Sequence, residues 1–224
     1  MQIEPAPEAA SRPSVTVLLD IIIAPGRAFA TIAAKRPVLF AICVAIACTI
    51  AGTFLTLPAQ LHVGGIKVIG PAERLNVATY VLLQLVLLVY SWSVIASIFA
   101  NLAGGEPAQY WTRYRTFFSL AANAAIPSQL GSLAQGVAVR LHPPESYHSL
   151  AQIVNALPFT LAVFATPGNA REVAFLSSFD LTTIWSILLV AFGAHAIGKI
   201  KLVPAVVVPC AIALAIAFIA LFIP

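Results

Sequence analysis

The chain has 224 residues, of which 60% are hydrophobic and 9% are charged, with a formal net charge of +4. Soluble domains carry about 25% charged residues, so this composition excludes an ordinary water-soluble protein. In so apolar a chain, we expect the excess of basic residues to flank membrane spans and meet anionic headgroups, and we do not expect nucleic-acid binding.

Residues 1–13 are polar and rich in proline and alanine, and we expect them to form a disordered tail. Residues 14–36 are predicted to form an amphipathic interfacial segment. Ser14 can cap a helix that ends near Ala24, and Pro25 can open a second short helix. The apolar face of the first helix, which excludes Thr16 and Asp20, consists of Val15, Leu18, Leu19, Ile22 and Ile23.

These two helices, of about ten residues each, are too short to cross a bilayer. They suit the headgroup layer, where an apolar face enters the lipid and basic residues meet phosphates. The alternative is that the apolar face packs onto the rest of the protein, and both arrangements can hold together.

Residues 37–224 contain five long apolar segments without a single Asp, Glu, Lys or Arg. Each approaches or exceeds the ~20 residues that cross ~30 Å of hydrocarbon as a helix. The predicted fold is therefore an all-α integral membrane protein, a bundle of five transmembrane helices. The spans are about 38–57, 77–103, 117–139, 181–197 and 202–223.

The segment 140–180 between the third and fourth spans holds a weaker apolar stretch at 153–165. This stretch is short and is broken by Pro158, so we predict an interfacial or re-entrant piece rather than a sixth span. The turn at 198–201 is tight, which predicts that the fourth and fifth spans are antiparallel neighbours.

Lysine and arginine favour the cytoplasmic ends of membrane spans, which predicts a cytoplasmic N-terminus and a C-terminus outside. The basic residues on the cytoplasmic side are then Arg12, Arg27, Lys35, Arg36, Arg113, Arg115, Lys199 and Lys201. Only Lys67, Arg74, Arg140 and Arg171 lie outside.

Basic and aromatic residues at the expected cytoplasmic boundary indicate a lipid interface. The candidates are Arg27, Phe29, Lys35, Arg36, Trp111, Arg113 and Arg115. Small residues at four-residue spacing also recur, as in Cys48 with Gly52 and in the row Ser128, Ser132 and Gly136. Such rows predict close approach of helix backbones in lipid.

The third span is the most polar, and its amides would be costly against lipid, so it should be central or should line a wet cavity. His195 is the one ionisable side chain within a span. It could relay protons, or it could be a neutral imidazole bonded to a carbonyl or an amide. The candidate intramembrane polar site is Asn123, Gln129, Gln135 and His195.

No hydrolase, protease or phosphate-binding motif is present, and the spans hold no titratable pair for acid–base catalysis. We predict a protein that is not an enzyme, without catalytic, cofactor-binding or metal-binding residues. The grouped His142, Glu145 and His148 lie around Pro143-Pro144 and have no fourth ligand nearby. The three cysteines are expected to be small packing residues.

Three stretches resemble the Yip-domain family of Ypt/Rab-interacting membrane proteins. They are residues 21–32 (IIIAPGRAFATI), Ala103-Gly104-Gly105 with the aromatic and basic residues of 110–118, and residues 179–201 (FDLTTIWSILLVAFGAHAIGKIK). The resemblance implies five membrane helices, a cytosolic N-terminus, no catalysis, and a role in membrane traffic or shape. The chain lacks the family's Asp-Leu-Tyr-Gly-Pro segment and its long tail, which argues against GTPase binding.

The chain looks more like the short bacterial members of that family, which implies the bacterial inner membrane. We therefore expect a non-enzymatic protein that organises or shapes membrane or scaffolds partners. Those partners are the lipid bilayer, other membrane proteins or a second copy of the chain. The alternative is a carrier or channel for a small or lipidic molecule, lined by the polar third span and its proline-broken neighbours.

Overall fold

The computed structural model describes residues 16–65, 71–157, 159–166 and 169–220. Within these ranges the chain is helical, apart from turns and one isolated bridge between Thr160 and Asp180. The predicted tail, the Ser14 cap, Val15 and Pro158 lie outside the described residues. The all-α class predicted from the composition is confirmed.

Ten α-helices follow one another along the described chain. They are α1 (Thr16–Ile23), α2 (Pro25–Lys35), α3 (Leu39–Val63), α4 (Pro71–Leu102), α5 (Tyr110–Ala124), α6 (Ile126–Arg140), α7 (Leu150–Val154), α8 (Ala170–Ser177), α9 (Leu181–Gly198) and α10 (Leu202–Ala220). The break between α1 and α2 falls at Ala24, and Pro25 opens α2, as predicted.

Three of the described helices are long and apolar enough to cross a membrane: α3, the part of α4 over Leu75–Leu102, and α9. Helix α10 is apolar over Leu202–Phe218 but shorter. Helix α3 continues through Pro58 to Val63, six residues past the predicted end of the first span at 57. Proline inside an apolar helix is tolerated where neighbouring groups satisfy the freed carbonyl.

The predicted third span, 117–139, is not one helix. It consists of α5 and α6, fifteen residues each, which meet at Ala125. The break precedes Pro127, which has no N–H to donate and disfavours a helical conformation in the residue before it. The count of five membrane crossings therefore stays a prediction, because neither half reaches spanning length alone.

The connection from α6 to α9 contains only short pieces, and its predicted apolar stretch does not form one helix. The pieces are a 3-10 turn at Pro144–Ser146, α7, a second 3-10 turn at Leu161–Phe164, and α8. Whether this connection re-enters the bilayer stays a prediction.

The chain forms two compact units. The first contains the described residues up to Ala45, together with Val89–Pro127 and Trp185–Ile212. In its core, α1 and α2 pack on each other and on α5, with Val17, Ile21, Ile32 and Leu120 buried. The rings of Phe99 and Phe117 pack edge to face, 5.7 Å apart, at the side of this core.

The second unit contains Ile46–Leu88, Ser128–Ile184 and the described residues from Ala213 onwards. Here α3 and α6 meet at small residues: a Cβ on Gly52 would lie 3.3 Å from the carbonyl oxygen of Ser132, and one on Gly136 would lie 3.1 Å from the carbonyl oxygen of Gly52. This contact confirms the packing predicted from the small-residue rows. A second cluster of Ala59, Val139, Tyr147 and Ile153 packs the α6–α9 connection onto the same helices.

Candidate functional site

Helix α1 has two apolar faces with different surroundings. Val17 and Ile21 are fully buried on the side that also holds Asp20. On the opposite side, Leu19, Ile22 and Ile23 point outward, with 65%, 42% and 75% of their surface exposed. We call these three residues the α1 ridge. The predicted apolar face is thus the outward one, and the side with Asp20, which lies off that face, is the one that packs on the protein.

The buried carboxylate of Asp20 is paired with a basic residue. The guanidinium of Arg27 lies 3.3 Å from its carboxylate and keeps more than half of its own surface exposed. The carbonyl of Asp20 accepts the N–H of Ala24, and the hydroxyl of Thr31 donates to the carbonyl of Arg27. The ion pair therefore joins α1 to α2 across the break at Ala24.

Phe29 is a core residue, and its assignment to the lipid interface was wrong. Only 7% of its surface is exposed. A Cβ on Gly193 of α9 would lie 3.0 Å from the Phe29 ring and 2.4 Å from Leu120. Because Gly193 has no side chain, Phe29 of α2 and Leu120 of α5 can pack closely against α9. This contact fixes the position of α2 within the first unit.

The end of α2 is held by a basic residue in an unusual backbone conformation. Arg36 caps the helix with φ of 51°, in the left-handed region that residues other than glycine rarely adopt. Its backbone N–H bonds to the carbonyl of Ile32, and its Nε donates to the Thr116 hydroxyl at 3.0 Å. Lys35 and Arg36 both remain exposed.

The other interface candidates lie near the start of α5, just after the turn that follows α4, and they differ in their contacts. Arg113 donates from Nε to the carbonyl of Ala100 at 3.1 Å, and from Nη1 and Nη2 to the carbonyl of Glu106. It anchors the turn, so the structure does not leave it free for a lipid phosphate. Trp111, with 67% of its surface exposed, and Arg115 face outward and remain available to lipid.

The four residues of the predicted intramembrane polar site each have separate partners. Asn123 donates to the carbonyls of Pro37 and Ser119, and Gln129 accepts the hydroxyl of Thr49. Gln135 donates to the carbonyls of Ile153 and Val154 and accepts the N–H of Leu157. The side-chain amides of α5 and α6 thus bond to neighbouring elements.

His195 lies in the last turn of α9, within the helix predicted as the fourth span, and its side chain is exposed at the surface of the protein. Its Nδ1 lies 2.8 Å from the carbonyl oxygen of Ile200, so an N–H at Nδ1 can donate to that carbonyl. This is the carbonyl-bonded alternative of the sequence analysis.

Three contacts that matter here were not predicted from the sequence. The ion pair of Asp20 with Arg27 was missed because it joins two helices across the break at Ala24. The contact of Phe29 with Gly193 was missed, although a glycine within an apolar helix is a signal that another helix packs closely there. The third is the contact of Gly131 with Thr182, where a Cβ would meet the threonine side chain.

Among the described residues, no group of three or more His, Cys, Asp or Glu side chains could hold a metal ion. Comparison of the chain with protein-family models, with curated proteins and with solved structures finds no match.

Proposed function

We propose that this chain is a non-enzymatic integral membrane protein that organises or shapes the bilayer, with the α1–α2 pair as the element that acts on lipid. The observation that carries the proposal is the α1 ridge: three large aliphatic side chains point outward from a helix that is itself fixed to the first unit. An eight-residue helix is about 12 Å long, too short to cross the membrane, and this length supports a position at the membrane surface.

The energetics favour insertion of the ridge into the headgroup layer. Fully burying a leucine or isoleucine side chain is worth about 1.5–3 kcal/mol, and the ridge side chains are roughly half to three-quarters exposed before insertion. Each therefore contributes about 1–2 kcal/mol. Lys35 and Arg36 follow the ridge in sequence and are exposed, and each can add about 1 kcal/mol on an anionic surface, whereas the charge of Arg27 is paired with Asp20.

The proposal places α1 and α2 on the cytoplasmic face of a bacterial inner membrane, with the C-terminus outside. Helices α3, α4 and α9 cross the bilayer, α5 with α6 forms one further crossing, and α10 forms the last. This arrangement agrees with the bias of lysine and arginine in the connecting segments and with the resemblance to the Yip-domain family. Partners are lipid, other membrane proteins or further copies of this chain, and GTPase binding is not part of the proposal.

The test uses the full chain reconstituted into vesicles that contain phosphatidylglycerol. The variant L19Q/I23Q makes the ridge polar without touching the buried face, and L19I/I23L is the matched control that keeps it apolar. We expect wild type and control to shift the vesicle diameter distribution measured by electron cryomicroscopy, and L19Q/I23Q to lose most of that shift.

Deletion of residues 14–34 should have the same effect while the remaining helices still insert. Crosslinking in native membranes followed by mass spectrometry would detect partners whose recovery depends on this segment. If neither the polar double variant nor the deletion changes vesicle shape or partner recovery, the proposal is wrong.

A further inference from the structure

An apolar groove of about 510 Å³ lies along α6 in the second unit. One wall is a face of α6 and the residue that follows it, with six apolar residues at helical spacing from Leu130 to Leu141, and the other wall is Leu157 with Phe159. The groove is open along its outer side, so a bound molecule would keep one side toward the surrounding membrane. No residue that lines the groove is polar.

The second wall is held in place by specific hydrogen bonds. The amide of Gln135 accepts the N–H of Leu157 at 3.2 Å and donates to the carbonyls of Ile153 and Val154. On the other side, the carbonyl of Phe159 accepts the N–H of Leu181 at 3.0 Å, where α9 begins. The groove is therefore a built feature of the fold.

The length of the groove matches one leaflet of a bilayer. Eleven residue steps from Leu130 to Leu141 correspond to about 16 Å of helix, close to half of the ~30 Å hydrocarbon thickness. Arg140 is exposed at the Leu141 end. Arg140 therefore lies where the apolar lining ends. If an acyl chain lay along this lining, the lipid phosphate would be at the level of Arg140.

We propose that this groove binds one phospholipid, with an acyl chain along α6 and the lipid phosphate at Arg140. The apolar lining, its length and the positive charge at one end suit this ligand together. A helix of a second copy suits the groove less well. Helices pack with axes about 8–10 Å apart, and Leu157 and Phe159 line the same groove as Ala134 and Ala138, so they take up part of the space that such a contact at small residues would need.

The proposal goes beyond the role of the α1–α2 pair, because all its residues belong to the second unit. It is tested with the purified full chain in detergent, to which either phosphatidylglycerol or diacylglycerol is added. Native mass spectrometry measures how much of each lipid stays bound. Variant A134F/A138F fills the groove, and A215F places one such ring on an exposed position of α10 as control.

We expect wild type and A215F to retain one phosphatidylglycerol, and A134F/A138F to retain at least tenfold less. R140Q should weaken retention of phosphatidylglycerol about fivefold and leave diacylglycerol unchanged, since one basic residue near a phosphate is worth about that factor. R171Q is the charge control and should behave as wild type.

Three results would overturn the proposal. The first is unchanged lipid retention by A134F/A138F with native helix content, shown by circular dichroism. The second is an equal loss of both lipids in R140Q. The third is a dimer that A134F/A138F dissociates, because the groove would then hold a second copy of the chain. Vesicle shape is not measured, so failure here leaves the role of the α1 ridge untouched.

Discussion

At the scale of single residues, the polar side chains of α5 and α6 form hydrogen bonds that connect separate segments of the chain. Asn123 is 2% exposed and donates to the carbonyl of Pro37 at 2.6 Å, just before α3 begins. The Ser119 hydroxyl donates to the same carbonyl at 3.1 Å. That carbonyl lies between a left-handed residue and the first turn of α3, where no regular helical bond serves it, so two side chains take over.

Replacing Asn123 with alanine should lower the thermal stability of the detergent-solubilised protein. Loss of the buried amide costs about 1–2 kcal/mol, at the lower side of the range for buried hydrogen bonds because Ser119 still satisfies the Pro37 carbonyl. N101A is the matched control: Asn101 is exposed and bonds within its own helix to the carbonyl of Ser97. Thermal melts followed by circular dichroism check this, and equal melting temperatures for N123A and N101A would contradict it.

At the scale of elements, hydrophobic runs predicted the positions of the long helices but not their ends or their surroundings. Four of the five apolar segments lie within single helices in the described residues, and the third is divided because Pro127 interrupts the backbone bonding. An apolar segment without charges indicates a membrane environment, but it does not indicate which face of the helix packs on the rest of the protein. Helix α1 is apolar almost all round, so its sequence could not distinguish the outward ridge from the buried side of Val17 and Ile21.

The same reasoning explains how much of the candidate site was predicted. The exposed basic residues and Trp111 were found because headgroup anchors are compositional signals. Phe29 and Arg113 were misassigned because their partners, Gly193 and the carbonyls of Ala100 and Glu106, are set by tertiary packing. Spacing along one segment carries no information about those contacts.

Gln135 offers a prediction at this scale, since one side chain holds the chain after α7 to α6. Q135L should leave the fold intact and increase amide hydrogen exchange in residues 150–157, by at least tenfold if about 1.4 kcal/mol of local stability is lost. Q152L is the control, because Gln152 is exposed and accepts only the nearby N–H of His148. Exchange read by mass spectrometry that is the same in Q135L and Q152L would show that Gln135 does not hold this segment.

At the scale of the whole molecule, the open question is the number of crossings, because α5 and α6 reach spanning length only together. If they form one crossing, the segments before α5 and after α6 lie on opposite sides of the membrane. Cysteines replacing Ala108 and Ser146, in a background without Cys43, Cys48 and Cys210, test this directly. Both positions are exposed, so labelling reports the compartment and not local burial.

We expect an impermeant maleimide to label Cys at position 146 in intact cells, and to label Cys at position 108 only after the membrane is opened. A third variant, with cysteine in place of Ser178, should behave as the one at position 146. Labelling of positions 108 and 146 from the same side would remove the crossing by α5 and α6 and, with it, the proposed location of the C-terminus.

The seating of Phe29 against Gly193 has a consequence for how the protein would bend a membrane. A peripheral amphipathic helix partitions between water and lipid, so its effect depends on a binding equilibrium and on the packing defects that admit it. On the proposed function, α1 enters the bilayer together with the helices to which the first unit attaches it, so its insertion would not depend on such an equilibrium. Curvature should then rise in proportion to the number of copies per unit area from the lowest density, with no threshold and no dependence on how curved the vesicle was before.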